Sequence, residues 1–303
     1  MYQWRKDIAT WQIGEVLYAS IPFTWLLPQA KRIAEAHDGP IVLGGPAVDL
    51  MPEYVENIDN RIFAEPYVTP LTMHNPMATR TSIGCPNRCP FCINQHRELR
   101  ELPPDWTPRP TVIDDAFLST SDRHQNYATE RLAHLPLVDF NQGLSAALFR
   151  GDAITRLQRL RLRLRFAWDD VRNESPVIDA ITRAKTAGLR DIRCYVLVGF
   201  NDTPADARYR CETLHKLGVM PNPMRFQPLD VLVKDSYVGP GWTNPELRRF
   251  CRYWARHRWT AGVPYDEFDD ERLARAEARV AREREKLQFD FAAERAAKGG
   301  CDG

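Results

Sequence analysis

Three thiols fall within eight residues in the run Gly84-Cys85-Pro86-Asn87-Arg88-Cys89-Pro90-Phe91-Cys92. Their spacing is C-x3-C-x2-C. With seven cysteines in 303 residues, chance produces it in about 0.004 such chains. Thiolates this close need a positive partner, because mutual repulsion would otherwise raise their pKa values. A structural zinc site would need a fourth ligand, and His96 stands four residues after Cys92. An iron–sulfur cluster is held by cysteine thiolates, usually four. Three ligands leave one iron open, and an open position on a metal is what chemistry requires. The remaining cysteines, Cys194, Cys211, Cys251 and Cys301, are scattered singly. They form no second cluster motif and read as small buried apolar residues.

The elements that must position this loop alternate regularly. Short apolar runs occur at 79–83, 111–114, 136–140, 163–168, 192–198 and 224–228, with helix-like stretches at 122–134, 152–160, 175–188 and 203–217. Ser175 before Pro176 and Thr203 before Pro204 each read as an N-cap followed by proline in the first turn, and Gly188 and Gly218 close the two helices. Strand–helix alternation at this spacing predicts right-handed βαβ units and a parallel sheet. Six units favour a barrel or partial barrel over a small open sheet. The cysteine loop then follows the first strand directly, while 93–110, with four prolines, shows no helix.

The motif GCPNRCPFC resembles the cluster loop of the radical S-adenosylmethionine (radical SAM) superfamily, with an aromatic residue just before the last cysteine. The resemblance covers roughly residues 75–230. It implies an α/β chain with a partial (β/α)6 TIM-like barrel, and a 4Fe-4S cluster on Cys85, Cys89 and Cys92 whose open iron takes the amino and carboxylate groups of SAM. It further implies an external one-electron reductant and reductive cleavage of SAM to a 5′-deoxyadenosyl radical, which takes a hydrogen atom from a substrate. Phe91 would lie near the adenine. The second strand ends at Asp114-Asp115, where the family holds the SAM amino group, though the family's Gly-Gly-Glu-like stretch is absent; capping the next segment is the other reading. Asp169, at the fourth strand end, matches a position that contacts the SAM ribose or methionine part in several relatives. The fifth strand, ending at Val198-Gly199, resembles the family's backbone contact to adenine without its first glycine and final acid. Apolar residues there also suit any buried parallel strand.

Three regions follow: an N-terminal α/β segment at 1–75, a core at 76–232 and a helical extension at 233–303. Within the first, 15–21 and 40–43 read as strands around a helix at 28–37, and 46–78 as linker or cover. Residues 15–48 resemble a degenerate cobalamin-binding layer, but the D-x-H-x-x-G ligand loop is missing and no cobalamin is expected. In the extension, Leu247, Phe250, Cys251 and Trp254 recur at i, i+3, i+4 and i+7 and read as a buried stripe with arginines on its solvated side. A nucleic-acid face, from arginines interleaved with aromatics, is the weaker reading; a zinc-binding nucleic-acid module or a tRNA-modifying radical SAM enzyme are the alternatives it leaves open. Leu273, Val280 and Leu287 are too few heptad positions for a coiled coil. A net charge of +1 gives no global pull toward nucleic acid or membrane. Apolar runs of membrane-spanning or signal-peptide length are absent, and the expected compartment is the reducing cytoplasm.

Overall fold

The apolar runs fold into two parallel-rich sheets. The computed structural model describes residues 4–56, 61–63, 71–256, 262–269 and 275. It divides into two compact units, Met1–Leu247 and Arg248–Gly303. In the first unit, β1 (Ala9–Ile13) and β2 (Val16–Ser20) form an antiparallel hairpin. After α1 (Leu27–Glu35) the chain returns through β3 (Ile41–Gly44), parallel to β2. A short α2 (Pro46–Leu50) leads to β4 (Arg61–Phe63), parallel to β3. Ile21, Leu27, Ala30, Ile41, Leu43 and Val48 form the core of this layer. β1 and β4 were not expected. The first is polar at alternate positions and exposed at its end, and the second lies within the stretch read as linker.

After α3 (Leu71–His74), the second sheet begins with β5 (Ala78–Thr79). The run at 79–83 does not continue as one strand. Arg80 and Thr81 break it, and β6 (Ser82–Ile83) pairs instead with β7 (Arg100–Glu101) in an antiparallel ribbon. The sheet resumes with β8 (Thr111–Val112), α4 (Asp122–Leu132), β9 (Val138–Phe140), α5 (Asp152–Leu157) and β10 (Leu162–Ala167). It closes with α6 (Glu174–Thr186), β11 (Asp191–Val198), α7 (Pro204–Lys216) and β12 (Met220–Arg225). Its six strands pair in parallel and in chain order, β5-β8-β9-β10-β11-β12. The chain is therefore α/β with a six-stranded parallel sheet. β12 lies some residues earlier than the run at 224–228.

The two faces of this sheet differ. Along β11, Ile192, Cys194, Val196 and Val198 are buried, while Asp191, Arg193, Tyr195 and Leu197 are half-buried on the other face. On that second face Arg165 grips Asp139 through two bonds of 2.6 and 2.7 Å, and Arg163 donates to Asp191 at 2.8 Å. A buried guanidinium is tolerated only with such charge-assisted partners.

Helix ends follow the sequence in one case and depart from it in the other. Thr203 and Asp206 form a capping box at α7. Ser175, by contrast, is not a cap: a 3-10 turn at Val171–Asn173 runs into α6, which starts at Glu174. The polar start of that segment is capped instead by Asp170, whose carboxylate accepts from the Arg172 amide at 2.8 Å. Gly188 and Gly218 follow the two helices with positive φ, as expected.

A last helix, α8 (Asn244–Ala255), carries Leu247, Phe250 and Trp254 fully buried, with Cys251 half-buried. In the second unit Arg249 donates to the backbone carbonyls of Phe268 and Tyr265. Leu273, Val280 and Leu287 lie outside the described residues, as does Cys301. No helix among the described residues is long and apolar enough to cross a membrane.

Candidate functional site

The cysteine loop is the connection between β6 and β7, so the ribbon forms its stem. Leu102 N–H donates to Thr81 O at 2.8 Å, and Cys85 N–H to Arg97 O at 3.1 Å. Gly84 turns the chain into the loop with φ +79°, and a Cβ there would stand 2.0 Å from the Glu98 carbonyl oxygen. Only glycine fits such a closure. Its amide donates to Asp115 Oδ2 at 2.9 Å.

Beneath the stem lies a buried polar network. The Asp114 carboxylate accepts from the Thr81 amide at 2.6 Å, from the Thr81 hydroxyl, and from the Ser82 hydroxyl at 3.0 Å. Since the Thr81 hydroxyl donates to Asp114, it accepts from His124 Nε2 at 2.9 Å, and His124 Nδ1 faces Glu101 at 3.8 Å. Burial raises the Asp114 pKa, and the Thr81 and Ser82 donors oppose the rise. The structure thus places Asp114 under the loop, engaged with its base, while Asp115 touches the loop itself.

Within the loop, Cys92 N–H donates to Cys89 O at 3.0 Å. The Asn87 amide points at Cys85 Sγ and the Asn94 amide at Cys92 Sγ, each at 3.4 Å. Amide donors at sulfur favour the thiolate, and they tune cysteine-ligated clusters. All three thiols are half-buried. Burial raises the Cys89 pKa, with Cys92, Asp169 and Cys85 adding to the rise. Burial raises Cys92 as well, against the Asn94 amide, while Cys85, Asp115 and Asp169 push further up. The cysteines and the two aspartates therefore lie within electrostatic reach of one another. Among the described residues no three His, Cys, Asp or Glu side chains are drawn together into a metal-holding group. In chemistry the donor set fits a thiophilic cation or cluster: soft ligands, with backbone amides at two of the sulfurs.

Phe91 reaches across to the strand ends. It packs edge-on against Phe200 at 5.6 Å between ring centres, Phe200 packs on Phe226 at 4.6 Å, and Phe226 on Tyr237 at 5.0 Å. Phe200 and Phe226 follow β11 and β12, so these contacts tie the loop to the C-terminal edge of the parallel sheet. Val198 is fully buried at that edge, and its carbonyl accepts from the Phe226 amide at 2.8 Å.

Asp169 follows β10 at the same edge. Burial pushes its pKa from 3.8 up to about 6, against the pull of the Arg210 guanidinium and the Leu197 amide. It is in electrostatic reach of Cys89 and Cys92. Asp115 and Asp169 thus lie within electrostatic reach of Cys92, and Asp169 of Cys89. Sequence reasoning missed the group behind them. Arg210 on α7 is fully buried, donates to the Trp168 carbonyl at 2.7 Å and forms an ion pair with Asp202. Asp202 in turn accepts from the Gly199 amide at 2.8 Å and from Trp242 Nε1 at 3.3 Å. Arg210 therefore staples the ends of β10 and β11, where Asp169 and Phe200 arise. One signal was present: with Ala207, Cys211 and Leu214, Arg210 falls in the helix's apolar phase, where a charge must find a buried partner.

The chain matches no known family, and no curated protein resembles it closely enough in sequence to count as a relative.

Proposed function

We propose that the chain is a radical SAM enzyme. The observation that supports this best is the C-x3-C-x2-C loop, closed on its own stem, with backbone amides on two sulfurs and Phe91 tied to the C-terminal edge of a parallel sheet. In parallel α/β folds ligands bind at that edge. On this reading the six strands curl into a partial barrel whose polar face, with Arg165 and Tyr195, turns inward.

Cys85, Cys89 and Cys92 would hold a 4Fe-4S cluster, which when bound supplies the electron, drawn from an external reductant, that cleaves SAM to a 5′-deoxyadenosyl radical. The chain's own residues do the rest. The Asn87 and Asn94 amides offer hydrogen bonds to the sulfurs of Cys85 and Cys92. Phe91 offers an aromatic surface for adenine, and the Val198 strand end a backbone rim. Asp169, ionised above about pH 6, presents a negative charge to a cationic cosubstrate and lends its charge to the cluster side of the site. Asp114 keeps the loop base in place through Thr81 and Ser82, rather than reaching the cosubstrate itself. The aromatic row behind Phe91 excludes water from a reactive radical.

The test is anaerobic. The purified protein is incubated with iron and sulfide, then with SAM and dithionite, and 5′-deoxyadenosine is measured by chromatography beside the Cys85→Ala, Cys89→Ala, Cys92→Ala triple variant. Product from the wild type alone is expected. A colourless protein with bound zinc and no product would overturn the reading.

A further inference from the structure

A cavity of about 670 Å3 is lined by both strands of the β6–β7 ribbon and by the closing segment of the loop. Pockets of about 300–1,000 Å3 suit small organic ligands. Among its lining residues are the charged Arg80, Arg97, Arg100 and Glu98, with His96 beside them. Two carboxylates offset the arginines in part. Arg97 Nη2 donates to Asp49 Oδ2 at 3.2 Å, and Arg80 stands 3.9 Å from Asp115.

Many donors remain. A guanidinium has five N–H groups, and Arg97 places one of them on Asp49. Arg80 makes no hydrogen bond among the described residues, and its Nε is buried without a partner. Asp115 is already engaged by the Gly84 amide. None of the three cysteines, Phe91 or Asp169 lines this cavity. The space therefore differs from the proposed cosubstrate site in place.

We propose that this cavity binds a small molecule carrying a phosphate group. Arginines from β6's approach, the loop and β7 line it, and guanidinium forks suit a tetrahedral dianion with three accepting oxygens. A carboxylate offers only two oxygens, which a single arginine satisfies. The cavity is larger than a bare phosphate, and Ile83 and Ile113 give it an apolar wall for an organic group. The inference does not depend on iron or on SAM.

The test uses the full-length protein as purified. AMP and inorganic phosphate are titrated calorimetrically at low salt, with acetate as the carboxylate control. AMP and phosphate should bind, acetate should not, and added sodium chloride should weaken binding. Arg80→Gln and Arg100→Gln should each weaken AMP at least tenfold. Arg100 is exposed on the rim, so its variant keeps the test open if Arg80→Gln fails to fold. Acetate binding as tightly as phosphate, no heat up to millimolar AMP, or unchanged AMP affinity in the folded variants would overturn the proposal.

Discussion

In the metal-free protein Asp169→Asn should stabilise the fold, and more so at high pH. Burial raises this carboxyl from 3.8 to about 6 even though Arg210 and the Leu197 amide pull it down. Between those two values the folded chain holds a proton that the unfolded chain has released, so stability falls as pH rises. Once both states are ionised the loss is about 3 kcal/mol, at about 1.36 kcal/mol for each pKa unit. At about pH 5 it is roughly half of that, and below 3.8 it vanishes. Asparagine keeps an oxygen for the Leu197 amide and removes the charge. Urea unfolding followed by tryptophan fluorescence, at about pH 5 and about pH 8, measures the difference. The variant should gain about 3 kcal/mol at the higher pH and about half as much at the lower. A variant less stable than wild type at about pH 8, or a gain that does not shrink on acidification, would show that Asp169 is not a desolvated carboxylate.

Two further substitutions test the frame around the site. Arg210→Met leaves the Asp202 carboxylate without its buried partner and should cost about 3–5 kcal/mol; adding Asp202→Asn should return part of it, and additive losses in urea midpoints would refute the pairing. Gly84→Ala forces a side chain into positive φ and against the Glu98 carbonyl. The backbone alone costs roughly 1–2 kcal/mol, and iron retained after reconstitution should fall with the loop's closure, so wild-type stability and iron content together would refute the geometry.

The parallel sheet was legible because each strand and helix announces itself locally. Apolar runs, a Thr203-Pro204 start and glycines at helix ends are short-range signals. The break inside the first core strand was not legible. Residues 79–83 read as one run, but Asp114, some thirty residues on, captures the Thr81 amide and Ser82 hydroxyl and diverts the chain into the ribbon. The misplaced cap at Ser175 has the same kind of cause. A cap can be read from two residues, whereas a preceding 3-10 turn held by Asp170 and Arg172 moves the start of the helix.

At the site the division is sharper. The cysteine triplet stands in plain text because its three members share one loop. The group behind Asp169 does not, because Trp168, Asp202 and Arg210 come from a strand end, a loop and a helix brought together by the fold. Yet the text held a trace of it. A guanidinium in the apolar phase of α7 is inconsistent with an ordinary amphipathic helix. The Arg163-Leu164-Arg165 alternation in β10 is equally inconsistent with a parallel strand buried on both faces. Both anomalies mark places where charge is carried into the interior and must be answered by a partner distant in sequence. Asp202 answers the first, and Asp139 and Asp191 answer the second. A charged residue in an apolar phase is therefore the sequence feature that points most directly to the polar interior around the site.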